Sequence, residues 1–370
     1  MTTAMTTRKL RGSDKSLRIG LFWPYSTTPI PSLEVAKRNP DVLDLQNHLD
    51  LAKAVEEIQM DFALIGDGYA PGSEASSRTG FQDPSTNAVI LAVPLFLATK
   101  NLGFISTLHT RFLHPVVIAR LAAHLDWVSG GRWGWNIVNG FRDHEAQLFG
   151  FDGLDHDGGY DLADEALEVV KQIWADPNEG VHHHGNHFKV DGRIRKPVPP
   201  TVPLLVSAAS SARGRRFASK HCDYLFASPG NAQECAALAA DLEKQSGDCG
   251  RADRPRILIL CSGFIRDEPG RAREEYAQMM ESQDKEAAAV WAAQITKLDK
   301  KPSQQMLELH GTTDEVAEEI VELCRNGAAG GLIIRPPIWK PEEVRRFGPV
   351  MERLGKAGLW QPPRARGFAW

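Results

Sequence analysis

From residue 17 onward, short apolar runs alternate with longer amphipathic stretches. LRIGLFW is strand-like, residues 43 to 58 set Leu45, Leu49, Ala52, Val55 and Ile58 at helical spacing, and DFALIG is strand-like again. After a polar loop, PGSEASSRTGFQDPST, come a helical stretch over 88 to 99, the strand LGFISTL, a helix opening at Pro115, and a strand inside GGRWGWNIVNGF. The rhythm continues with a helix over 160 to 174, the strand PLLVSA, a helix over 212 to 220, CDYLFAS, a helix over 233 to 244 and RILILCSGFI. It closes with DEVAEEIVELCRNGAAGGLIIRP and a last helix over 341 to 354.

Eight strands each followed by a helix require parallel pairing, and eight such units close most naturally into a (β/α)8 TIM barrel. A doubly wound open sheet is the competing arrangement. The barrel reading places a loose leader at 1–16, one domain at 17–357 and a C-terminal tail at 358–370. Three stretches interrupt the rhythm, as insertions after strands 2, 4 and 7: a Gly/Ser-rich loop at 68–86, a hairpin-like excursion with a Pro-rich return at 176–202, and a polar, partly helical segment at 282–308. Long loops in a compact fold serve as lids or binding loops.

Apolar content of 42% and charged content of 24% allow a large core, and a net charge of -4 with signs interspersed excludes a nucleic-acid binder. The first residues lack the apolar stretch of a signal peptide, and no run is long enough to cross a bilayer, so a cytoplasmic protein without membrane attachment is expected. Cys222, Cys235, Cys249, Cys261 and Cys324 are odd in number and show no CxxC spacing, which points to free thiols.

In a barrel the chemistry sits at the carboxyl ends of the strands. The first six ends are Trp23-Pro24-Tyr25, Gly66 to Tyr69, Thr107 to Thr110, Asn136 to Gly140, Ala208 to Ser211, and Ala227-Ser228. Carboxylates are scarce there, while amides, hydroxyls and aromatics are plentiful. Metal-dependent hydrolysis wants His and Asp ligands on several strands, and Asp67 and His109 alone offer themselves. Such ends suit a flat uncharged ligand held by hydrogen bonds and stacking, with a cofactor supplying the hard chemistry. In SAASSARGRRFA, Ser210, Ser211 and Gly214 open a helix, which reads either as simple capping or as an anion site assisted by Arg213 or Arg215. His182, His183, His184 and His187 look like a metal tract but lie on the hairpin excursion, and no metal is expected.

Four segments carry a family resemblance: FISTLHTRFLHPVVIARLAAHLDWVSGGRWGWNIVNG, HDGGYDLADEALEVVKQIW, VPLLVSAASSARGRRFASKHCDYLFAS and GTTDEVAEEIVELCRNGAAGGLIIR. In this order they resemble the bacterial-luciferase-like flavin monooxygenases. They are most similar to the branch that opens pyrimidine rings or oxygenates dibenzothiophene sulfone, aminopolycarboxylates and small organosulfur compounds. The resemblance implies that Thr107 and Asn136 line the flavin and oxygen pocket. It implies further that Asn139 and Gly140 meet the isoalloxazine edge, that Tyr160 reaches the ribityl or phosphate end, and that Ser210, Ser211 and Gly214 bind the phosphate. The chain departs from the family twice: Asn139 stands where Thr or Ser is usual, and Gly159 stands where an Arg usually precedes the tyrosine.

The resemblance implies a two-component enzyme. Reduced FMN comes from a separate NAD(P)H:flavin reductase, and O2 forms a flavin peroxide at N5 or C4a that oxygenates a small heterocyclic or organosulfur substrate. Thr107 and Asn136 would donate hydrogen bonds to the developing charge, and the segments at 68–86 and 282–308 are candidate lids. His109 is either a proton donor or a structural histidine. Trp23, Asp67, Tyr69 and Phe112 are candidate substrate contacts, although aromatic residues at strand ends also serve as core. Homodimers or homotetramers are expected by analogy. Two alternatives are a deazaflavin-dependent dehydrogenase on the same barrel and a flavin-binding protein without catalysis.

Overall fold

The computed structural model describes residues 16–140, 142–151, 156–296, 306–366 and 370. Most of the expected leader and the 297–305 part of the third insertion lie outside the described residues. The strands are β1 (Arg18–Trp23), β2 (Phe62–Ile65), β3 (Gly103–His109), β4 (Trp133–Val138), β5 (Val181–His184), β6 (Lys189–Gly192), β7 (Leu204–Ala208), β8 (Tyr224–Ala227), β9 (Arg256–Ile265), β10 (Leu307–Gly311) and β11 (Ala329–Arg335). Parallel pairing runs β1-β2-β3-β4-β7-β8-β9-β11 and returns from β11 to β1, which closes an eight-stranded barrel with helices between its strands. The open-sheet alternative is thereby excluded. Strands buried on both faces read as unbroken apolar runs, and β2 and β3 are buried at every position.

Alternation sorts the side chains into two layers. Phe62, Leu64, Ile105, Leu204, Val206, Tyr224, Leu258 and Ile333 fill the barrel interior, and Phe22, Phe226 and Leu260 pack onto them. Ile19, Leu21, Trp23, Phe104, Trp133 and Trp135 face outward against the helices. Helix starts follow the capping chemistry of their sequences: Asn87 accepts from the amides of Val89 and Ile90, and Thr312 forms a capping box with Glu315.

Three of the departures from the sequence reading bear on how the barrel is completed. The end of the third insertion is a ninth barrel-side strand, β10, which pairs with residues 261–265 of β9 where the four-residue β8 has already ended. A long strand whose neighbour stops short exposes an edge, and β10 covers it. The run LELHG alternates apolar and polar residues, but it is only five residues long and its start falls inside the stretch read as a polar insertion. The last helix divides into Pro341–Arg345 and Gly348–Lys356. The stretch read as a tail is docked at the amino end of the barrel: Trp360 donates to Asp61 at 2.9 Å, Arg366 pairs with the same carboxylate, and Trp370 packs into the interior cluster beside Phe62.

Cys222, Cys235, Cys261 and Cys324 are buried free thiols, and Cys249, at the end of the helix Ala232–Asp248, is half-buried. Burial pushes Cys222 and Cys324 up to about 12 and Cys235 to about 11, and raises Cys261 as well. Among the described residues no helix is long and apolar enough to cross a membrane.

Candidate active site

Thr107 and Asn136 are paired across β3 and β4, and both point into the barrel interior where the strands end. The Thr107 hydroxyl donates to the Ile65 carbonyl at 2.8 Å, which uses its single proton. Its oxygen must therefore accept, and it does so from Asn136 Nδ2 at 3.0 Å. This ordering fixes the amide: Asn136 Oδ1 faces away from Thr107, is buried, and has no hydrogen-bond partner among the described residues. The sequence expectation that Thr107 itself donates to oxygen is corrected here, because its proton is committed to Ile65. Thr107 orients Asn136, and Asn136 presents a bare acceptor to the space above the barrel.

A buried acceptor without a donor is costly, by about 1–3 kcal/mol, and it fits a ligand that brings an N–H. The N–H groups of a reduced isoalloxazine ring are such donors, so these residues fit a flavin. At the next position of the ring of strand ends, Gly140 has φ +75, and a Cβ there would press on the Phe112 ring at 3.0 Å. The Gly140 carbonyl accepts from Arg111 Nη1 at 3.1 Å. Asn139 lies against the start of the helix His156–Ala175, where Gly159 leaves room for its amide.

The next helix in this half of the barrel is Ala212–His221. Ser211 caps it by accepting from the Gly214 amide at 3.1 Å, so the capping reading of Ser211 is realised. The Tyr160 hydroxyl hydrogen-bonds the same Ser211 side chain, and burial lifts the Tyr160 pKa to about 12 against that bond, keeping the phenol neutral. A Cβ on Gly214 would overlap the Tyr160 hydroxyl and sit 2.6 Å from Ala209 Cβ, so this cradle admits only glycine. The amides of Ala212 and Arg213 precede the first intrahelical bond and have no partner within the helix. Ser210 offers its carbonyl to Arg215, which also pairs with Asp241 at 2.6 Å. Arg213 pairs with Asp161 and Asp164 at 2.6 and 2.7 Å and lies 5.8 Å from the Tyr160 ring. Both arginines are thus held by carboxylates beside the helix start.

His109 ends β3 and is buried, and its ring packs 5.3 Å from Tyr69 and 5.5 Å from Phe112. Burial, with a smaller contribution from Arg142, lowers its pKa to about 4, so it is neutral at pH 7. Phe112 stacks on Phe149 at 4.5 Å, and Tyr69 meets Phe149 edge-on at 4.9 Å. Tyr69, His109 and Phe112 therefore form one aromatic wall, extended by Phe149 and Phe151, which no sequence pattern singled out. Asp67 accepts from Gly68 N at 2.8 Å, Asn87 Nδ2 at 2.9 Å and Ala88 N at 3.0 Å, so both its oxygens are engaged at a helix start. Burial outweighs these bonds and raises its pKa to about 6.

Trp23 does not join this wall. Its indole is fully buried on the outer face of β1, donates to His48 Nδ1 at 3.1 Å and packs edge-on against Phe104. The inward positions at that strand end belong to Phe22 and, beyond it, Tyr25. The histidine tract falls on the expected hairpin: His182 and His184 share Asp191, and His183 bonds Glu165. Among the described residues no group of three or more His, Cys, Asp or Glu side chains is placed to hold a metal ion.

The two expected lids meet. Phe81, from the 68–86 loop, and Trp291, from the helix Lys285–Thr296, pack edge-on at 5.5 Å, Arg78 pairs with Glu286 at 2.9 Å, and Gln294 Nε2 donates to the Gly72 carbonyl at 3.1 Å. Beneath them lies a cavity of about 190 Å³ lined by Phe22, Tyr25, Phe226 and Arg335, among others. Arg335 closes the last barrel strand in the run LIIR. The strand-end rule that picks out the first six ends applies to it equally.

Residues 18–330 match the model of a family described as luciferase-like monooxygenase. Among curated proteins, the chain is 25% identical over 300 residues to nitrilotriacetate monooxygenase component A of Aminobacter aminovorans, covering 72% of this chain and 66% of that protein. It is 30% identical over 263 residues to dibenzothiophene-sulfone monooxygenase of Rhodococcus erythropolis, covering 63% of this chain and 58% of that one. The match thus spans less than two thirds of either relative. Among solved structures, a riboflavin lyase with modified FMN and riboflavin superposes with a TM-score of 0.84 at 23% identity, covering 94% of this chain and 93% of that chain, which shows the shared fold.

Proposed function

This chain belongs to the luciferase-like monooxygenase family, and from that premise we propose that it is the oxygenating component of a two-component, FMN-dependent monooxygenase. The observation that carries the reading is the buried Asn136 Oδ1, held in place through Thr107 and without a hydrogen-bond partner among the described residues. Asn136, Asn139 and Gly140 would hold the flavin ring, with Tyr160, Ser210, Ser211 and Gly214 at its phosphate end. When bound, reduced flavin supplies the two electrons with which O2 is split between an oxygenated product and water. The chain's own residues orient and shelter that chemistry. Thr107 sets the Asn136 amide, the neutral Tyr160 phenol braces the helix start at Ser211, and neutral His109 stands beside Tyr69 and Phe112 where it can exchange a proton with a substrate atom. Phe81 and Trp291 roof the neighbouring space and keep water out.

Substrates of the proposed reaction are small heterocyclic or organosulfur molecules, in keeping with the dibenzothiophene-sulfone relative. A separate NAD(P)H:flavin reductase would deliver the FMN, in keeping with a relative whose name denotes component A of a system. Homo-oligomers are proposed through the helices Ala88–Ala98 and Pro115–Ser129, on which Ile90, Leu97 and Trp127 are 74, 75 and 70% exposed.

The test supplies the protein with reduced FMN, ¹⁸O2 and a substrate panel. One ¹⁸O atom in the product is the expected result. Label entering solely from water would overturn the reading, and tight deazaflavin binding without oxygen uptake would replace it with hydride transfer.

A further inference from the structure

Arg335 is a cation enclosed by aromatic rings, with no counter-ion among the described residues. It sits at the end of β11 in the cavity of about 190 Å³. Its Nη2 donates to the Pro29 carbonyl at 3.0 Å, and among the described residues no carboxylate lies within ion-pair distance. The arginines around it in the fold are satisfied differently: Arg266 pairs with Glu275 and Glu343, and Arg142 with Glu145. A guanidinium carries five N–H donors and stays protonated at neutral pH. Enclosing such a charge among rings is unfavourable unless an anion meets it. The neighbours that face it are the hydroxyls of Tyr25 and Tyr276.

The size of the space narrows what that anion belongs to. A cavity of about 150 Å³ holds benzene, so this one of about 190 Å³ is matched in size to a single ring with one small substituent rather than to a three-ring flavin. The walls are aromatic: Phe22 and Phe226 below, Tyr25 at the side, Phe81 and Trp291 above. The cavity also adjoins the Asn136 site. Gly66, against whose Cα the Tyr25 ring packs closely enough that a Cβ would lie 3.1 Å from it, directly follows Ile65, the residue that anchors Thr107.

We infer that this cavity is the substrate subsite and that Arg335 pairs with a carboxylate or sulfinate carried by a single-ring, planar substrate. As a substrate subsite it rests on the monooxygenase reading; as a ligand site it stands on the geometry alone. Pairing would be bidentate, since the guanidinium fork matches a two-oxygen anion.

Benzoate and benzyl alcohol are matched probes, alike in ring and differing in charge. Titrated calorimetrically into the full-length protein, benzoate is expected to bind at least tenfold more tightly than benzyl alcohol. Arg335→Gln should erase that preference, and Arg335→Lys should retain part of it. Equal affinities in the unsubstituted protein, or a preference that survives Arg335→Gln, would overturn the inference, and the first comparison decides even if a variant fails to fold. A parallel titration with reduced FMN separates the two readings. Flavin binding without a benzoate preference sinks the subsite alone. A benzoate preference without flavin binding sinks the monooxygenase reading and leaves Arg335 as an anion site.

Discussion

Asn139 and Gly159 face each other, so that a Cβ on Gly159 would lie 3.3 Å from Asn139 Nδ2. The family resemblance implies a departure at both positions, and on that reading their contact makes them a single exchange: the longer amide occupies space that a side chain at 159 would crowd. Gly159→Ala should weaken FMN binding several-fold, and adding Asn139→Thr should restore it. The coupling between the two changes is expected at ~0.5–3 kcal/mol, the range for residues in contact. Flavin fluorescence quenching across the four proteins measures it, and strictly additive effects would refute the exchange.

Thr107 acts through Asn136. Thr107→Val deprives the Ile65 carbonyl of its donor, at a cost of about 1–3 kcal/mol in stability, and frees the Asn136 amide to rotate. Thr107→Ser keeps both bonds. We expect the valine variant to bind reduced FMN at least tenfold more weakly in anaerobic titrations and the serine variant to stay within a factor of about three. Equal loss in both would assign Thr107 to packing alone.

The depressed pKa of His109 ties stability to pH. Its folded value of about 4 lies below the ordinary 6.5, so between those values the unfolded chain binds the proton more readily. Stability from this group is complete above about pH 6.5 and is lost as the pH falls toward 4. His221 and His310, also near 4, add to the same slope. His109→Gln should reduce the stability difference between pH 8 and pH 5 by roughly 2 kcal/mol. Urea melts at the two pH values test this, and an unchanged difference would show that His109 is hydrated in solution.

How far the sequence could be read follows from what each element depends on. The eight barrel strands were legible because burial on both faces demands runs such as FALI and GFISTLH, and no other element of this size tolerates them. Strand β10 was hidden because it pairs along one edge of β9 and needs no such run. Thr107 and Asn136 were singled out through position and resemblance, and the structure brings the two together. The direction of their bonds was not legible, because it depends on the Ile65 carbonyl, distant in sequence. Trp23 borders the cavity of about 190 Å³ while its indole lies in the outer layer of β1, because the aromatic types that line a pocket also fill the layer behind it, and one residue of strand register decides between them. Phe149 and Phe151 lie on an irregular segment with no period to reveal which way they face.

An exposed apolar face predicts association. Leu97→Glu combined with Trp127→Glu places charge on both helices of that face and touches none of the proposed flavin residues. Sedimentation velocity should show a dimer or larger species for the unsubstituted protein and a monomer for the double variant. A monomer in both cases would remove the proposed interface.

The distribution of the thiols makes the chain ready for single-site optical labelling. Maleimide dyes react with thiolate, and four of the cysteines are buried with pKa values raised far from neutrality, which leaves the half-buried Cys249 as the reactive position. A donor fluorophore there, with an acceptor on one engineered cysteine in the helix Lys285–Thr296, would report the distance between the barrel and its roof molecule by molecule. No native cysteine would need to be removed first.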